Sequence, residues 1–293
     1  MTDTFVEAEL ASQPATWREV AALAPTFAEA LPQRGERVAV VGCGTSWFIA
    51  MTYAVLRERA GHGITDAFAG SEYPADRQYD RVIAISRSGT TSEIITLLAE
   101  LRGAETVLIT AVPDSPATVD ASHVVALPFA DEQSVVQTRF ATTALSLLRA
   151  NLGDDIEQLA VQAERALEIP IDHLLDAEQV TFIGRGPAIG LTFEAALKTR
   201  EAAQFWAESY PAMDYRHGPI AIAQPGRLVW SLGPAPEGLV DDVAATGATY
   251  VEHDLDPQAG LVVVHRFAVA KALSLGLDPD HPRSLTRSVI LAQ

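Results

Sequence analysis

The sequence predicts an α/β protein with two parallel sheets, and three observations support this fold class. Short apolar runs rich in Val and Ile alternate with longer segments of helical periodicity, which is the pattern of strands joined by crossover helices. The chain has 293 residues, enough for two domains of ordinary size. A Gly-x-Gly segment also follows an apolar run twice, at Gly42 and at Gly184, 142 residues apart. We therefore expect two repeats that each begin with a buried strand.

Six apolar runs are the predicted strands. In chain order they are RVAVVG at 37–42, RVIAIS at 81–86, TVLITAV at 106–112, HVVALP at 123–128, VTFIG at 180–184 and RLVWSLG at 227–233. Six segments with apolar residues three and four positions apart are the predicted helices. They lie near 45–60, 91–102, 133–151, 153–168, 188–207 and 262–276.

A second pair of similar segments supports the duplication. AGSEYP at 69–74 follows the first helix of one repeat, and AESYP at 207–211 follows the first helix of the other. Between the repeats lies an acidic helical connection in which Pro170 ends a helical pattern. We therefore expect a first domain at 20–155 and a second domain at 156–293.

Composition argues against several kinds of partner. The chain carries 38 acidic and 21 basic residues, a formal net charge of −17, whereas a surface that binds nucleic acid is basic. The apolar stretch from Val38 to Leu56 is broken by glycine and hydroxyl residues, so it is not a predicted membrane span. The single Cys43 cannot form an intramolecular disulfide, and the first residues lack the pattern of a signal peptide. We expect a cytoplasmic protein that binds neither nucleic acid nor membrane.

The loop after the first predicted strand has the composition of an anion site. It reads Gly-Cys-Gly-Thr-Ser at 42–46 and leads into a predicted helix, where backbone N–H groups and the helix dipole favour an anion. A tight turn with a helix cap explains the same residues equally well. The loop lacks the third glycine of a dinucleotide fingerprint and the lysine of a P-loop, which disfavours nucleotide binding.

The loop after the second predicted strand is denser in polar groups. It reads Ser-Arg-Ser-Gly-Thr-Thr at 86–91 and supplies four hydroxyls and a guanidinium in six residues. A capping box between Thr90 and Glu93 would account for one of the hydroxyls. The remaining groups favour the binding of a phosphate or a sulfonate.

A third group of polar residues follows Gly186. Glu194, Lys198 and Glu201 are spaced so that they share one face of a predicted helix. Such a face is most often a solvated row of ion pairs. Downstream, His217 stands in a loop-like segment, a setting that suits a proton carrier.

These three segments together resemble the sugar isomerase (SIS) family. The motifs are GCGTS at 42–46, SRSGTT at 86–91 and FEAALKTREAAQFWAESYPAMDYRHGP at 193–219. The third motif is similar to the isomerase half of glucosamine-6-phosphate synthase and to its stand-alone relatives. The resemblance runs from about residue 35 to the C terminus and implies two flavodoxin-like subdomains, each a parallel five-stranded sheet flanked by helices.

The resemblance also implies the roles of individual residues. Glu201 matches the base that moves a proton between carbons 1 and 2 of the sugar, with Glu194 and Lys198 as supporting residues. His217 matches a ring-opening histidine that reaches the site of the neighbouring subunit, which implies a homodimer. The phosphate-binding positions are matched by Thr45, Ser46, Ser86, Arg87, Ser88 and Thr91.

The chain departs from the family pattern in its C-terminal tail. The tail DPDHPRSLTRSVILAQ resembles the family tail that closes the site, but Arg287 stands where the synthase has a lysine. A guanidinium stays protonated and is a poor nucleophile, so an imine with a keto sugar is not expected. Arg287 could still stabilise an open-chain oxygen or an enediolate electrostatically.

The sequence thus predicts a phosphosugar isomerase or deaminase that needs no cofactor. We expect no metal, because the chain shows no spaced cluster of His, Cys and Asp residues, and no glutamine-dependent synthesis, because a glutaminase domain is not found. The Glu–Lys–Glu helix and the histidine loop most resemble the amino-sugar branch of the family, which favours a deaminase. Three alternatives stay open: a fructosamine-phosphate deglycase, a sulfosugar isomerase and a non-catalytic phosphosugar sensor.

Overall fold

A computed structural model of the chain describes residues 4–291. The last two residues of the predicted tail therefore lie outside the described residues. The chain forms two compact units. The first-sheet unit comprises Ala15–Gln133, Gln137–Glu157 and the tail from Thr286 onward, and the second-sheet unit comprises the residues up to Pro14, Ser134–Val136 and Gln158–Leu285.

The first-sheet unit is built on five parallel strands in the order β2-β1-β3-β4-β5. The strands are β1 (Val38–Gly42), β2 (Thr65–Ala69), β3 (Arg81–Ile85), β4 (Thr106–Thr110) and β5 (His123–Ala126). Every residue of β1, β3 and β4 is buried, which explains why these strands are continuous apolar runs in the sequence. The helices of this unit are α2 (Gln13–Leu23), which begins in the other unit, α3 (Thr45–Arg59), α4 (Ser92–Glu100) and α5 (Arg139–Leu152).

The second-sheet unit contains four parallel strands in the order β7-β6-β8-β9. The strands are β6 (Gln179–Gly184), β7 (Ala207–Pro211), β8 (Arg227–Leu232) and β9 (Thr249–Glu252). The helices are α1 (Phe5–Ala11), α6 (Ile156–Glu168), α7 (Ala188–Ala203), α8 (Leu239–Ala245) and α9 (Pro257–Ser274). Helices α7 and α9 pack against each other.

The predicted α/β class with two parallel sheets is confirmed, but the second sheet has four strands instead of the expected five. After β9 the chain turns directly into α9, where the Asp256 side chain accepts a hydrogen bond from Gln258 N at 2.9 Å and Pro257 occupies the first helical position. The helix therefore begins five residues before the predicted start at 262. Within the described part of the chain, the residues after α9 form no further strand.

Helix α7 is shorter than the predicted helix at 188–207. It ends at Ala203, because Gln204 adopts a left-handed conformation with φ of 50°. The residues that follow form β7, which the apolar pattern did not predict. This early end of the helix places Glu201 in its last turn, just before β7.

Candidate functional site

The two predicted anion loops leave the same edge of the first sheet. Strands β1 and β3 are parallel neighbours, with Gly42 opposite Ile85, so both loops lie at the carboxyl ends of adjacent strands, where ligands of open α/β sheets bind. Thr45 and Ser46 are the first two residues of α3, and both are buried. Gly44 precedes them with φ of 53°, a conformation that favours glycine.

Hydroxyl groups shape the second loop from within. Ser86 Oγ accepts a hydrogen bond from Gly89 N at 3.2 Å, and Ser88 Oγ accepts one from Thr90 N at 3.2 Å. The N-cap of α4 is Thr91, whose side chain makes no capping hydrogen bond. The suggested capping box between Thr90 and Glu93 is therefore wrong.

Gly89 is required by both its conformation and its surroundings. Its φ is +61°, and a Cβ at this position would lie 1.9 Å from Ser115 Oγ. A side chain would therefore force the loop away from Ser115, which is buried in the next loop of the sheet.

Arg87 points into the protein interior. Its side chain is buried, with Nη1 3.7 Å from Glu132 Oε2 and Nη2 donating to the Arg287 carbonyl at 3.1 Å. The sequence offered no signal for Glu132, whose pairing with Arg87 depends on the fold. Contact between Arg87 and a phosphate therefore stays a prediction.

The C-terminal tail lies along the second anion loop in the first-sheet unit. The hydroxyls of Thr90 and Ser288 are 2.8 Å apart, and Ser92 N donates to the Val289 carbonyl at 3.2 Å. The Arg287 guanidinium pairs with the Asp131 carboxylate and donates to the Glu132 carbonyl. An electrostatic role of Arg287 toward substrate stays a prediction, and in the structure its charge is matched by Asp131.

The predicted face of α7 is buried, so the interpretation as a solvated row of ion pairs is wrong. The side chains of Glu194, Lys198 and Glu201 are 1%, 2% and 19% exposed. Lys198 Nζ lies 3.7 Å from Glu194 Oε1 and also pairs with Glu201. A single ammonium thus stands between two carboxylates, and Glu201 is the most exposed of the three groups.

His265 of α9 faces the same group, although no sequence pattern indicated it. Its Nε2 lies 3.9 Å from Glu194 Oε1, and the side chain is buried. Burial, and secondarily the Lys198 charge, lower the pKa of His265 to about 3. The imidazole is therefore neutral at physiological pH. His265 stands within the apolar run of α9, and nothing in the local sequence indicates that it lies beside Glu194 of α7.

Glu201 opens onto a cavity in the second-sheet unit. The cavity has a volume of about 530 Å³. Its lining consists of Arg200, Glu201, Gln204, Phe205, Trp206, Arg283, Ser284 and Leu285. Burial lowers the pKa of Arg200, whose Nη1 donates to the Ala207 carbonyl at 2.8 Å. The lining thus includes one acidic residue, two arginines and two aromatic residues.

His217 and Glu201 lie near opposite ends of strand β7 in the second sheet. Glu201 is close to the amino end of β7, as the bond from its neighbour Arg200 to the Ala207 carbonyl shows. His217 is exposed in a 3-10 turn, Asp214–His217, beyond the carboxyl end of the same strand. Five residues of strand separate these ends by roughly 16 Å.

No group of three His, Cys, Asp or Glu side chains among residues 4–291 is arranged to hold a metal ion. In the same part of the chain, no helix has both the length and the apolar character that crossing a bilayer requires.

Comparison with known proteins assigns the first part of the chain to a family. The model of the SIS domain family matches residues 32–151. This segment, which holds both anion loops, is therefore a SIS domain, as its motifs predicted.

The chain is also similar to longer proteins. It is 27% identical over 296 residues to the glutamine–fructose-6-phosphate aminotransferase (isomerizing) of Sulfurisphaera tokodaii, covering 88% of this chain and 50% of the relative. The enzyme of the same name from Methanothermobacter thermautotrophicus is 29% identical, covering 98% of this chain and 57% of the relative. The chain thus spans about half of the length of these relatives.

Solved structures show the same fold over nearly the whole chain. The glucosamine-6-phosphate deaminase of Thermotoga maritima superimposes with a TM-score of 0.83 at 24% identity, covering 98% of this chain and 100% of that chain. The tagatose-6-phosphate ketose/aldose isomerase of Escherichia coli gives a TM-score of 0.78 at 19% identity, covering 97% and 98%.

Proposed function

We propose that this protein is an enzyme that binds a hexose or hexosamine 6-phosphate and moves a proton between carbons 1 and 2. The observation that carries the proposal is the group of Glu194, Lys198 and Glu201. Two nearly inaccessible charged side chains stand behind a carboxylate that opens onto a cavity. Burying charges is costly, and a group of buried charges beside a cavity is typical of a functional site.

Each residue of this group has a proposed task. Glu201, the exposed member, takes the proton from one carbon and returns it to the neighbouring carbon through an enediol or enolamine. The Lys198 ammonium compensates the negative charge of both carboxylates and holds Glu201 in place. Glu194 orients Lys198 from the buried side.

The phosphate is proposed to bind at the two loops of the SIS domain. Support comes from Thr45 and Ser46 at the start of α3 and from the hydroxyl-rich loop Ser86–Thr91. Both loops lie at the carboxyl ends of neighbouring strands and precede helix N termini, where backbone N–H groups favour an anion.

We further propose a homodimer in which His217 opens the sugar ring in the partner's site. The positions of Glu201 near the amino end of β7 and of His217 beyond its carboxyl end support this arrangement, because the length of the strand, roughly 16 Å, lies between them. A loop histidine that is exposed in the single chain is suited to this task.

The substituent at carbon 2 decides the net reaction. With an amino group there, water releases ammonia and leaves the ketose phosphate, whereas a hydroxyl gives simple aldose–ketose isomerisation. We favour the deaminase, because the helix and histidine motifs resemble the amino-sugar branch. The similar solved structures include both a glucosamine-6-phosphate deaminase and a tagatose-6-phosphate ketose/aldose isomerase.

A substrate panel tests this proposal. The purified protein is incubated with hexose, hexosamine and fructosamine 6-phosphates and with a sulfonated hexose, and ketose and ammonia are measured separately. Ammonia from a hexosamine phosphate is the expected result, while ketose without ammonia would assign the isomerase. Tight binding of a sugar phosphate without turnover of any compound would contradict the enzyme and identify a sensor.

A further inference from the structure

Glu132 is a buried carboxylate that the proposed reaction does not use. Its side chain is fully buried beside the N terminus of α5, which begins at Arg139. Oε1 accepts hydrogen bonds from Thr138 N at 2.6 Å, Thr138 Oγ1 at 3.0 Å and Arg139 N at 2.9 Å, and Oε2 accepts one from Phe140 N at 3.3 Å. The Glu132 carboxylate thus accepts hydrogen bonds from the N–H groups at the start of α5, although Glu132 precedes these residues by six to eight positions.

The same carboxylate is the ion-pair partner of Arg87. Glu132 Oε2 lies 3.7 Å from Arg87 Nη1, and the two side chains are 0% and 1% exposed. A charge buried this deeply is costly without an opposite charge. The pair therefore fixes the Arg87 side chain in the interior, pointing toward α5.

Arg87 in turn holds the anion loop at several points. Its carbonyl accepts hydrogen bonds from Ala111 N at 3.0 Å and from Thr110 Oγ1 at 3.1 Å, and its guanidinium donates to the Arg287 carbonyl. The neighbouring Ser86 and Ser88 are the residues whose hydroxyls shape the loop. Arg87 is thus tied to β4 through its backbone carbonyl and to Glu132 and the C-terminal tail through its side chain.

We propose that Glu132 is a positioning residue for the second anion loop, Ser86–Thr91. It acts through Arg87, and Arg87 itself does not contact the phosphate. This inference rests on the proposed binding of a sugar phosphate at this loop. It differs from the prediction made from the sequence, in which the Arg87 guanidinium binds the anion directly.

Charge-neutral variants separate the two roles of Arg87. The dissociation constants of glucosamine 6-phosphate and of inorganic phosphate are measured for the wild type, Glu132→Gln, Arg87→Gln and the double variant. Each single variant is expected to weaken binding by about tenfold, and the double variant to bind no more weakly than either one, because both changes break the same link. For Glu132→Gln, which lies outside the loop, the loss is expected in KM and not in kcat, because the loop would hold the phosphate equally in the ground state and the transition state.

Direct ligation predicts the opposite pattern. If Arg87 binds the phosphate, Glu132→Gln releases the guanidinium toward the anion and leaves affinity unchanged or tighter, while Arg87→Gln weakens it. That result, or additive losses in the double variant, would overturn the inference. Asp131→Asn is the matched control, because Asp131 pairs with Arg287 at a half-exposed position and its loss is expected to change affinity by less than about threefold.

Hydrogen exchange tests the inference without any sugar. The amides of Gly89 and Thr90, which donate to serine hydroxyls inside the loop, are expected to exchange faster in Glu132→Gln than in the wild type. Unchanged exchange at these two amides would overturn the positioning role. If the wild type binds neither sugar phosphate nor phosphate, the proposed function fails, whereas the exchange result still decides the role of Glu132.

Discussion

Gly89 lies where the second anion loop, Ser86–Thr91, packs against Ser115. We expect Gly89→Ala to weaken sugar-phosphate binding and to lower the free energy of unfolding, since a left-handed alanine costs about 1 kcal/mol and the overlap with Ser115 adds about 1–3 kcal/mol. Denaturant unfolding and calorimetric binding measure the two effects. Gly103→Ala is the matched control, because Gly103 has φ of +91° but open space around its Cβ. Equal losses of unfolding free energy and of binding in the two variants would contradict the role of the Ser115 contact.

His265 makes the stability of the protein depend on pH. Its pKa is about 3 in the folded chain, below the ordinary 6.5. Between these two values the unfolded chain binds a proton that the folded chain does not, so stability falls as pH decreases, by up to about 1.4 kcal/mol per pH unit. Above this range the imidazole is neutral in both states and the contribution is constant. The nearby charges are Glu194 and Lys198 of α7.

A comparison with His265→Gln isolates this contribution. From about pH 7 to about pH 5, the wild type is expected to lose about 2 kcal/mol more of its unfolding free energy than the variant. Urea unfolding at the two pH values gives the difference. Parallel losses in both proteins would mean that the folded chain protonates His265 as readily as the unfolded chain.

The residues of the candidate site differ in how far the sequence could predict them. The spacing of Glu194, Lys198 and Glu201 was sufficient to place them on one helix face, but it could not show that the face is buried, because burial depends on packing against α9. Glu132 and His265 carried no local signal. Their partners are distant in sequence and meet them only in the folded chain.

At the scale of single elements, α7 carries a buried ion pair whose loss should be severe. We expect Lys198→Met to lower the free energy of unfolding by about 3–5 kcal/mol, because it leaves Glu194 buried without its cation. Arg18→Ala is the control, since Arg18 and Glu157 form an ion pair with side chains 34% and 65% exposed, and its loss should cost less than about 1 kcal/mol. Chemical denaturation of the two variants compares the costs. A similarly small cost for both would contradict the buried pair.

The predictability of the strands follows their burial. The central strands β1, β3, β4, β6 and β8 are almost wholly buried, so their apolar runs identified them. The missed strands β2, β7 and β9 lie at sheet edges and are half-exposed. These three strands carry few apolar residues, so a pattern based on hydrophobicity does not separate them from loops. The edge strand β5 was predicted because its segment, HVVA, is still an apolar run.

At the scale of the whole molecule, the separation of Glu201 and His217 predicts complementation between chains. Glu201→Gln and His217→Asn should each be inactive alone, and a mixture of the two should regain activity after subunit exchange. Random exchange makes about half of the dimers mixed, each with one intact site of two, so about a quarter of wild-type activity is expected. A mixture that stays inactive, although sizing shows mixed dimers, would contradict the shared site.

Proton transfer by Glu201 on a bound sugar phosphate is tested by comparing turnover with binding in one variant. We predict that Glu201→Gln loses at least about 100-fold in kcat while its dissociation constant for the same sugar phosphate changes by less than about tenfold. Glu168→Gln, which changes an exposed carboxylate in the last turn of α6, should match the wild type in both. Turnover by Glu201→Gln at the wild-type rate would contradict this role of Glu201.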